Sequence, residues 1–209
     1  MNIKYLFPFL ILTILVSACS KQTITTEDEY KAVDLPDGSI VFLNQYSELE
    51  YVESFNERKV AIKGECYFSI VESDKPFTVQ GELGIVEVLG TEFNLKSDSE
   101  NMEVEVEEGE VSLSVESKSE KVARGQMASY DKGNKSIKTG KAPMSFKKWM
   151  SKMTIELKKF DQEFNKEIKE LEKIVKDKSK EADKEAKKVG KELEDVGKQI
   201  GKSLKKITN

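Results

Sequence analysis

Residues 102–117, MEVEVEEGEVSLSVES, alternate apolar and polar side chains on both sides of a glycine, Gly109. Successive side chains of a β-strand point to opposite faces, so each half of this stretch has one apolar and one polar face. Glycine readily adopts the positive φ that tight turns need. We therefore predict a β-hairpin with its turn at Gly109. Its inner face would carry Met102, Val104, Val106, Val111, Leu113 and Val115, and its outer face Glu103, Glu105, Glu107, Ser112, Ser114 and Glu116.

The row of glutamates on the outer face has two interpretations. Carboxylates are the oxygen ligands that calcium prefers, so several on one surface could hold an ion. Side chains on the same face of a strand are ~6–7 Å apart, however, and no loop is present to wrap around the ion. We expect a solvated face and no metal site. Such a row of charges would also discourage edge-to-edge aggregation.

The same alternation extends outward over residues 34–134. DLPDGSIVFLN at 34–44 has turn formers at Pro36 and at the pair Asp37-Gly38, followed by an apolar strand. RKVAIKGECYFSIV at 58–71 predicts strand residues on both sides of a turn near Gly64, with Cys66 as a buried, unreactive thiol. About seven or more short strands bounded by glycine or polar clusters indicate a sandwich, jelly roll or β-roll. The predicted fold is mainly β.

Composition limits the rest of the chain. Its 209 residues are 38% hydrophobic and 34% charged, enough for one ordinary core plus an extended element. Residues 1–145 carry 15 Lys and Arg against 25 Asp and Glu, whereas 146–209 carry 19 against 13. The basic half lacks arginine and interleaves its charges, so we predict no nucleic-acid partner. Histidine, the most frequent general base, is absent. We expect no enzyme activity, no catalytic residues and no cofactor.

The amino terminus resembles a bacterial lipoprotein signal. Tyr5 to Ala18 is an uncharged run of 14 residues behind Lys4, shorter than the ~20 that a membrane span needs. LVSACS at 15–20 ends this run with small residues next to Cys19, the pattern of a lipobox. We predict a signal peptide at 1–18, lipidation at Cys19 and a polar tether at 19–33. An uncleaved anchor and ordinary secretion are the alternatives.

Beyond the β-rich region, we predict that residues 135–145 form a linker. Gly140 and Pro143 end the strand pattern there, and Ser145 can cap a helix. Apolar residues then recur about every 3.6 positions from Trp149 to Ile207, which predicts a long, charged amphipathic α-helix over 146–207. Its three glycines favour a bend or fraying. These are Gly190, Gly197 and Gly201.

The narrow apolar stripe of this helix leaves its role open. It could pack on the chain's own β domain, bind an envelope protein or a second copy as a coiled coil, or lie on a membrane surface. The bulkiest residues of its first half are the candidate partner-binding residues. They are Trp149, Met153, Phe160 and Phe164.

Several blocks of the β-rich region resemble the FecR domain family. In order along the chain, the blocks are LPDGSIVFLNQYSELEYV at 35–52, RKVAIKGECYFSIVESDKPFTVQ at 58–80, VEVLGTEFNL at 86–95, VEVEEGEVSLS at 104–114 and KVARGQMASYD at 121–131. The resemblance implies a jelly-roll or β-roll domain in the envelope of a Gram-negative bacterium. It also implies cell-surface signalling, in which such proteins control an extracytoplasmic sigma factor.

The resemblance and the amino terminus together give three hypotheses. The first is a non-catalytic FecR-domain lipoprotein, facing the periplasm or in the outer membrane, that serves as a binding or signalling module. The second is a FecR-type transmembrane sensor and sigma factor antagonist. Typical members carry a cytoplasmic segment before their membrane span, and only a short stub precedes the apolar run here. The third is a structural spacer between membrane and cell wall.

Overall fold

The computed structural model of the chain describes residues 20–178 and 183–208, and the predicted mainly β fold followed by helix is confirmed. Thirteen strands precede two helices in chain order. The strands are β1 (Lys21–Thr25), β2 (Lys31–Asp34), β3 (Ile40–Leu43), β4 (Glu48–Val52), β5 (Lys59–Ser69), β6 (Phe77–Gln80), β7 (Ile85–Val88), β8 (Glu92–Ser97), β9 (Asn101–Glu108), β10 (Glu110–Val115), β11 (Lys118–Ala123), β12 (Gln126–Asp131) and β13 (Ser136–Lys141). The helices are α1 (Lys147–Lys178) and α2 (Asp183–Thr208).

Strand β5 is the longest strand and joins the two sheets of a sandwich. Its residues 59–63 pair with β4 and β6, and its residues 64–69 pair with β3 and β8. The first sheet has the order β11-β10-β7-β6-β5-β4-β1, and the second has the order β2-β3-β5-β8-β9-β12-β13. Every pairing is antiparallel except that of β5 with β6. The main core lies between the two sheets.

The prediction that the strands on either side of Gly109 pair as a hairpin is wrong. The prediction that their apolar residues face inward is confirmed. Strand β9 pairs with β8 and β12 in the second sheet, whereas β10 pairs with β7 and β11 in the first. The chain therefore crosses between sheets at Gly109, whose φ is +85°. All six residues predicted to face inward are at most 1% exposed. Both strands bury their apolar faces because they face each other across the core, not because they pair.

The sheets extend beyond the predicted β region at both ends. Strands β1 and β2 lie in 19–33, the range predicted to be a tether, with only Asp34 of β2 beyond it, and β13 lies in the predicted linker. All three are edge strands whose side chains are mostly exposed or half-buried. An edge strand needs few apolar residues, so these segments look like solvated coil in the sequence. The β domain therefore spans 21–141.

The predicted helical tail is two helices. Helix α1 starts at Lys147, one residue after the predicted start, and α2 runs through Gly190, Gly197 and Gly201 without interruption. Residues 179–182, between the two helices in sequence, lie outside the described residues. Because α1 and α2 contact each other, the tail is not a single straight rod.

Gly64 marks the point where β5 changes sheets. Its φ is +83°, and a Cβ atom there would lie 2.6 Å from Ser47 Oγ and 2.8 Å from the Tyr46 carbonyl oxygen. Gly64→Ala combines a left-handed backbone with this clash, so we expect it to lower the free energy of unfolding by about 2–3 kcal/mol. Urea unfolding monitored by far-UV circular dichroism measures the change. Gly125→Ala, also at positive φ but with open space around it, isolates the backbone component and should cost less.

Candidate interaction surface

The first turns of α1 pack on the outer face of the second sheet. A second apolar cluster, separate from the main core, lies between them. Trp149 and Met153 of α1 are 8% and 1% exposed, and Phe146, just before the helix, is 1% exposed. The sheet supplies aromatic and aliphatic partners from β3 and β5. They are Ile40, Phe42 and Tyr67.

Aromatic rings set the position of the helix on the sheet. The Trp149 indole stacks on Tyr30, with ring centroids 6.1 Å apart and planes within 9°. Phe146 stacks on Tyr67 at 5.1 Å. Offset stacking of this kind adds about 0.5–1.5 kcal/mol per pair beyond the area that it buries. The helix therefore has one defined orientation at its start.

A half-buried carboxylate network lies directly beneath Trp149. Glu65 Oε1 accepts hydrogen bonds from the Trp149 indole Nε1–H at 2.8 Å and from Asn94 Nδ2 at 3.0 Å. Its other oxygen, Oε2, accepts one from Asn44 Nδ2 at 2.8 Å. Both oxygens of Glu65 therefore have donors, and one of these donors comes from the helix. Hydrogen bonds to a charged acceptor are about twice as strong as neutral ones.

Two of the β9 glutamates also face α1 and the residues just before it, which overturns the prediction of a solvated row. Glu105 is fully buried, and its Oε1 accepts a hydrogen bond from the Ser145 hydroxyl at 2.9 Å. Glu107 accepts from the Tyr67 hydroxyl at 3.0 Å and forms an ion pair with Lys147 at 2.6 Å. The Tyr67 hydroxyl is held between Glu92 and Glu107, and burial together with these carboxylates raises its pKa.

Two buried oxygens in this interface lack hydrogen-bond partners among the described residues. They are Asn94 Oδ1 and Glu105 Oε2, on directly paired positions of β8 and β9. Leaving a buried polar atom unpaired costs about 1–3 kcal/mol. Separation of α1 from the sheet would return such atoms to water, so this interface is less costly to open than the main core.

Glu103 provides a pH-dependent contribution to stability next to this interface. Burial raises the pKa of its carboxyl, Glu105 and Glu65 raise it further, and Lys96 partly offsets the rise. The folded protein therefore binds this proton more tightly than the unfolded chain does. The resulting stabilisation of the folded protein is fully present below the pKa that Glu103 has in the unfolded chain. It is lost as the pH rises through the pKa that Glu103 has in the folded protein.

We expect Glu103→Gln to raise the free energy of unfolding, relative to wild type, more at pH 7 than at pH 4. The amide cannot ionise, so it avoids the cost of holding a partly buried charge at neutral pH. Urea unfolding at the two pH values measures the difference. Glu108→Gln, on the exposed end of the same strand, is the control. An equal effect of Glu103→Gln at both pH values would contradict the prediction.

The four predicted partner-binding residues divide into two pairs. Trp149 and Met153 are buried against the chain's own sheet, whereas Phe160 is 56% exposed and Phe164 is half-buried. The rings of Phe160 and Phe164 stack on each other at 5.9 Å. The apolar stripe of α1 thus continues past the β domain to Leu171, which is also exposed.

Three other predictions concern the anchor, a metal site and the thiol. Cys19 lies outside the described residues, so its lipidation stays a prediction. Among the residues that the structure describes, no three acidic or thiol side chains converge as a metal site would require, and no helix has the length and apolarity to cross a membrane. Cys66 is free and buried in the core, and burial raises the pKa of its thiol.

The fold and this surface define a β-sandwich domain that carries a docked carboxy-terminal helix. Residues 22–112 match the model of the FecR protein family, from within β1 to within β10. The chain therefore contains a FecR domain, as the sequence blocks predicted. The match ends before β11, β12, β13 and the two helices.

Solved structures of a candidate anti-sigma factor from Parabacteroides distasonis have a similar fold. One, at 2.50 Å, is 28% identical with a TM-score of 0.56, and the match covers 58% of this chain and 60% of that one. A second structure, at 1.65 Å, is 28% identical with a TM-score of 0.55, and the match covers 57% of this chain and 59% of that one. This chain thus spans less than two thirds of their length. Among curated proteins, none matches the sequence.

Proposed function

We propose that this chain is a non-catalytic, lipid-anchored regulatory module of the bacterial cell envelope. Its FecR domain forms the body of the module, Cys19 anchors it, and α1 presents the surface for an envelope protein partner. The observation that carries the proposal is the divided stripe of α1, which is buried at Trp149 and Met153 and exposed at Phe160.

The FecR domain supports a signalling or regulatory role, since proteins with this domain are regulators associated with the envelope. The similarity to a candidate anti-sigma factor supports the same role. The predicted lipobox supports attachment to the membrane by acyl chains, because two or more chains give stable anchoring. Strand β1 begins at Lys21, two residues after Cys19. A lipid at Cys19 would therefore hold the β domain directly at the membrane surface.

The partner surface is the exposed part of the α1 stripe. Beyond the turns that pack on the sheet, Phe160 and Leu171 remain more than half exposed although α1 also contacts α2, so this part of the apolar face is accessible to another protein. Phe160 and Phe164 are aromatic anchors of the kind that dominate binding energy in protein interfaces. The docked start of α1 gives these anchors a fixed position relative to the FecR domain.

Lipidation is tested by feeding cells an alkyne-bearing fatty acid and detecting label on the purified chain. We expect label on wild type and none on Cys19→Ser. Cys66→Ser is the matched control, because Cys66 is the only other cysteine and is buried. Absence of label from wild type would overturn the anchor.

The partner surface is tested with a photo-reactive amino acid placed at single α1 positions in cells. We expect a specific cross-linked protein from position 160 and none from Gln162, which lies ~200° around the helix. The Phe164→Asp change should abolish the adduct at position 160, while Leu89→Asp on the β domain should not. Equal cross-linking from positions 160 and 162 would contradict a partner at this stripe.

A second candidate function is control of an extracytoplasmic sigma factor, favoured by the similarity to a candidate anti-sigma factor. Transcription from a sigma-dependent reporter, measured with and without the chain, tests it. Identification of the cross-linked protein as an outer-membrane transporter or a sigma-factor regulator would connect the two candidates. A reporter unaffected by deletion of the chain would rule this function out.

A further inference from the structure

An apolar groove of about 540 Å³ opens at the end of the sandwich where the described chain begins. Its apolar lining comes from the ends of β4 and β5 and from the loop between them. The lining includes Tyr51, Val52, Phe55, Val60 and Ala61. Cavities of about 300–1,000 Å³ with mostly apolar walls are typical of small-ligand sites.

The groove lies next to the residue that we propose to be lipidated. The Ser20 carbonyl oxygen accepts a hydrogen bond from Glu53 N at 2.9 Å, which ties the start of the described chain to the loop that forms the groove wall. Lys21 itself lines the groove and pairs in register with Val52. Cys19 is bonded to Ser20, and consecutive Cα atoms lie ~3.8 Å apart. The attachment point of the proposed lipid is therefore one residue along the chain from Ser20, which is hydrogen-bonded to the loop that forms the groove wall.

Four charged residues also line the groove, namely Lys21, Glu50, Glu57 and Lys59. The Lys21 ammonium forms an ion pair with Glu50 at 2.7 Å, so this cation is already partnered. The accessible surface of the groove is nonetheless mostly apolar and includes the Tyr51 and Phe55 rings, whose centroids lie 6.0 Å apart in an edge-to-face arrangement. Such a lining suits an unbranched hydrocarbon rather than a polar metabolite.

The loop that shapes the groove has an unusual backbone. Phe55 and Arg58 both have positive φ, at 46° and 45°, although neither is glycine. Backbone strain of this kind persists only where surrounding contacts hold it, and it clusters at ligand sites. The Phe55 ring also joins the main core below the groove, where its centroid lies 5.9 Å from that of Phe77.

We propose that the groove holds one acyl chain of the lipid on Cys19. The inference rests on the lipid anchor of the proposed function and adds a site for part of it. The remaining acyl chains stay in the membrane, and the end of the sandwich that carries the groove faces the lipid surface. The β domain then has a fixed orientation on the membrane, because Ser20 is the single residue between Cys19 and the start of β1.

The proposal is tested first by photo-cross-linking within the lipidated chain. Cells are fed a diazirine-bearing fatty acid, the lipidated protein is purified and irradiated, and adducts are mapped by mass spectrometry. We expect adducts between the acyl chain and residues 51–61. Ala61→Trp, which fills the groove, and Val52→Lys, which charges an exposed wall, should each reduce them at least fivefold. Leu89→Lys, an exposed apolar position outside the groove, should leave them unchanged.

A second test compares lipidated and unlipidated protein in solution, using cis-parinaric acid as the fluorescent probe. The chain of residues 20–209, which contains the whole sandwich, should bind one equivalent. The lipidated chain should bind at least tenfold more weakly, because its own acyl chain fills the groove. Val52→Lys in the 20–209 chain should also weaken binding at least tenfold, and Leu89→Lys should not.

Each outcome has a distinct meaning. Label on Cys19 without adducts in residues 51–61 would overturn the acyl-chain site and leave the lipoprotein proposal standing. Absence of label on Cys19 would overturn both. Equal probe binding by the lipidated and unlipidated chains would show that the groove takes a free lipid instead, which overturns the assignment to Cys19.

Discussion

Replacement of Arg58 by alanine is expected to lower the free energy of unfolding by about 3–5 kcal/mol. Removing one partner of a buried ion pair leaves the other charge without compensation, and this range is typical of that change. The Arg58 side chain is 8% exposed and that of Asp37 is 15% exposed, so water screens the pair only weakly.

Arg58 ties together three loops at one end of the sandwich. Its Nε donates to Asp37 Oδ2 at 2.8 Å, and its two terminal nitrogens donate to the carbonyl oxygens of Val71 and Lys75 at 2.7 and 2.6 Å. The guanidinium also lies 5.5 Å from the centroid of the Phe77 ring, close enough for a cation–π contact. Alanine would remove all of these contacts and leave two carbonyl groups and a carboxylate without this donor.

Urea unfolding at pH 7 measures the effect of Arg58→Ala. Lys59→Ala, at the next and exposed position, is the control and should change the free energy by less than about 0.5 kcal/mol. Arg58→Lys keeps the charge, but its single nitrogen cannot reach three acceptors that are bound by three different nitrogens of the guanidinium, so we expect an intermediate loss. A change below about 1 kcal/mol for Arg58→Ala would mean that the pair does not hold these loops together.

The apolar faces of the strands were predictable from alternation, whereas strand partners were not. Met102 and Leu113 face inward as the pattern requires, but β9 and β10 lie in opposite sheets. Alternation specifies which face of a strand is buried and leaves open which strand it pairs with. The Asp37-Gly38 turn was correctly predicted from its residues, but the ion pair of Asp37 with Arg58 joins positions 21 residues apart and has no local signal.

The helix residues of the candidate site were predictable from the sequence. The sheet residues on which the helix packs were not predicted. Trp149 and Met153 stand out because they repeat at helical spacing next to polar residues. Glu65 and Glu105 alternate with apolar residues and so resemble a solvated face. The missed signal was the uninterrupted apolar run Ile40–Leu43, all four residues of which are buried. Such a run is typical of a strand covered on both faces.

Trp149→Ala is expected to detach the start of α1 from the sheet. Truncation of a buried aromatic side chain to alanine typically costs about 3–5 kcal/mol. Here the change also removes the stack on Tyr30 and the indole hydrogen bond to Glu65. Because the main core between the sheets does not include Trp149, we expect local detachment and a folded β domain.

Amide hydrogen exchange separates local detachment from global unfolding. Protection of the amides of Met150–Leu157 should fall at least a hundredfold in Trp149→Ala, since about 3 kcal/mol corresponds to slightly more than two factors of ten. Protection of β5 and β8 should change much less. Trp149→Phe keeps a ring but loses the Nε1–H donor, so its effect should be smaller. Phe160→Ala, at an exposed position of the same helix, is the control.

Trp149 is the only tryptophan in the chain, so its fluorescence reports detachment in variants that retain it. Met153→Lys places a charge at a position that is 1% exposed in the interface, and it should shift the emission of Trp149 to longer wavelength as the indole enters water. Lys152→Met, on the exposed neighbouring position, should leave the emission unchanged. If Trp149→Ala left exchange at Met150–Leu157 unaltered and Met153→Lys left the emission unaltered, α1 would be held by other contacts. The carboxylate network around Glu65 would then not be the docking site of the helix.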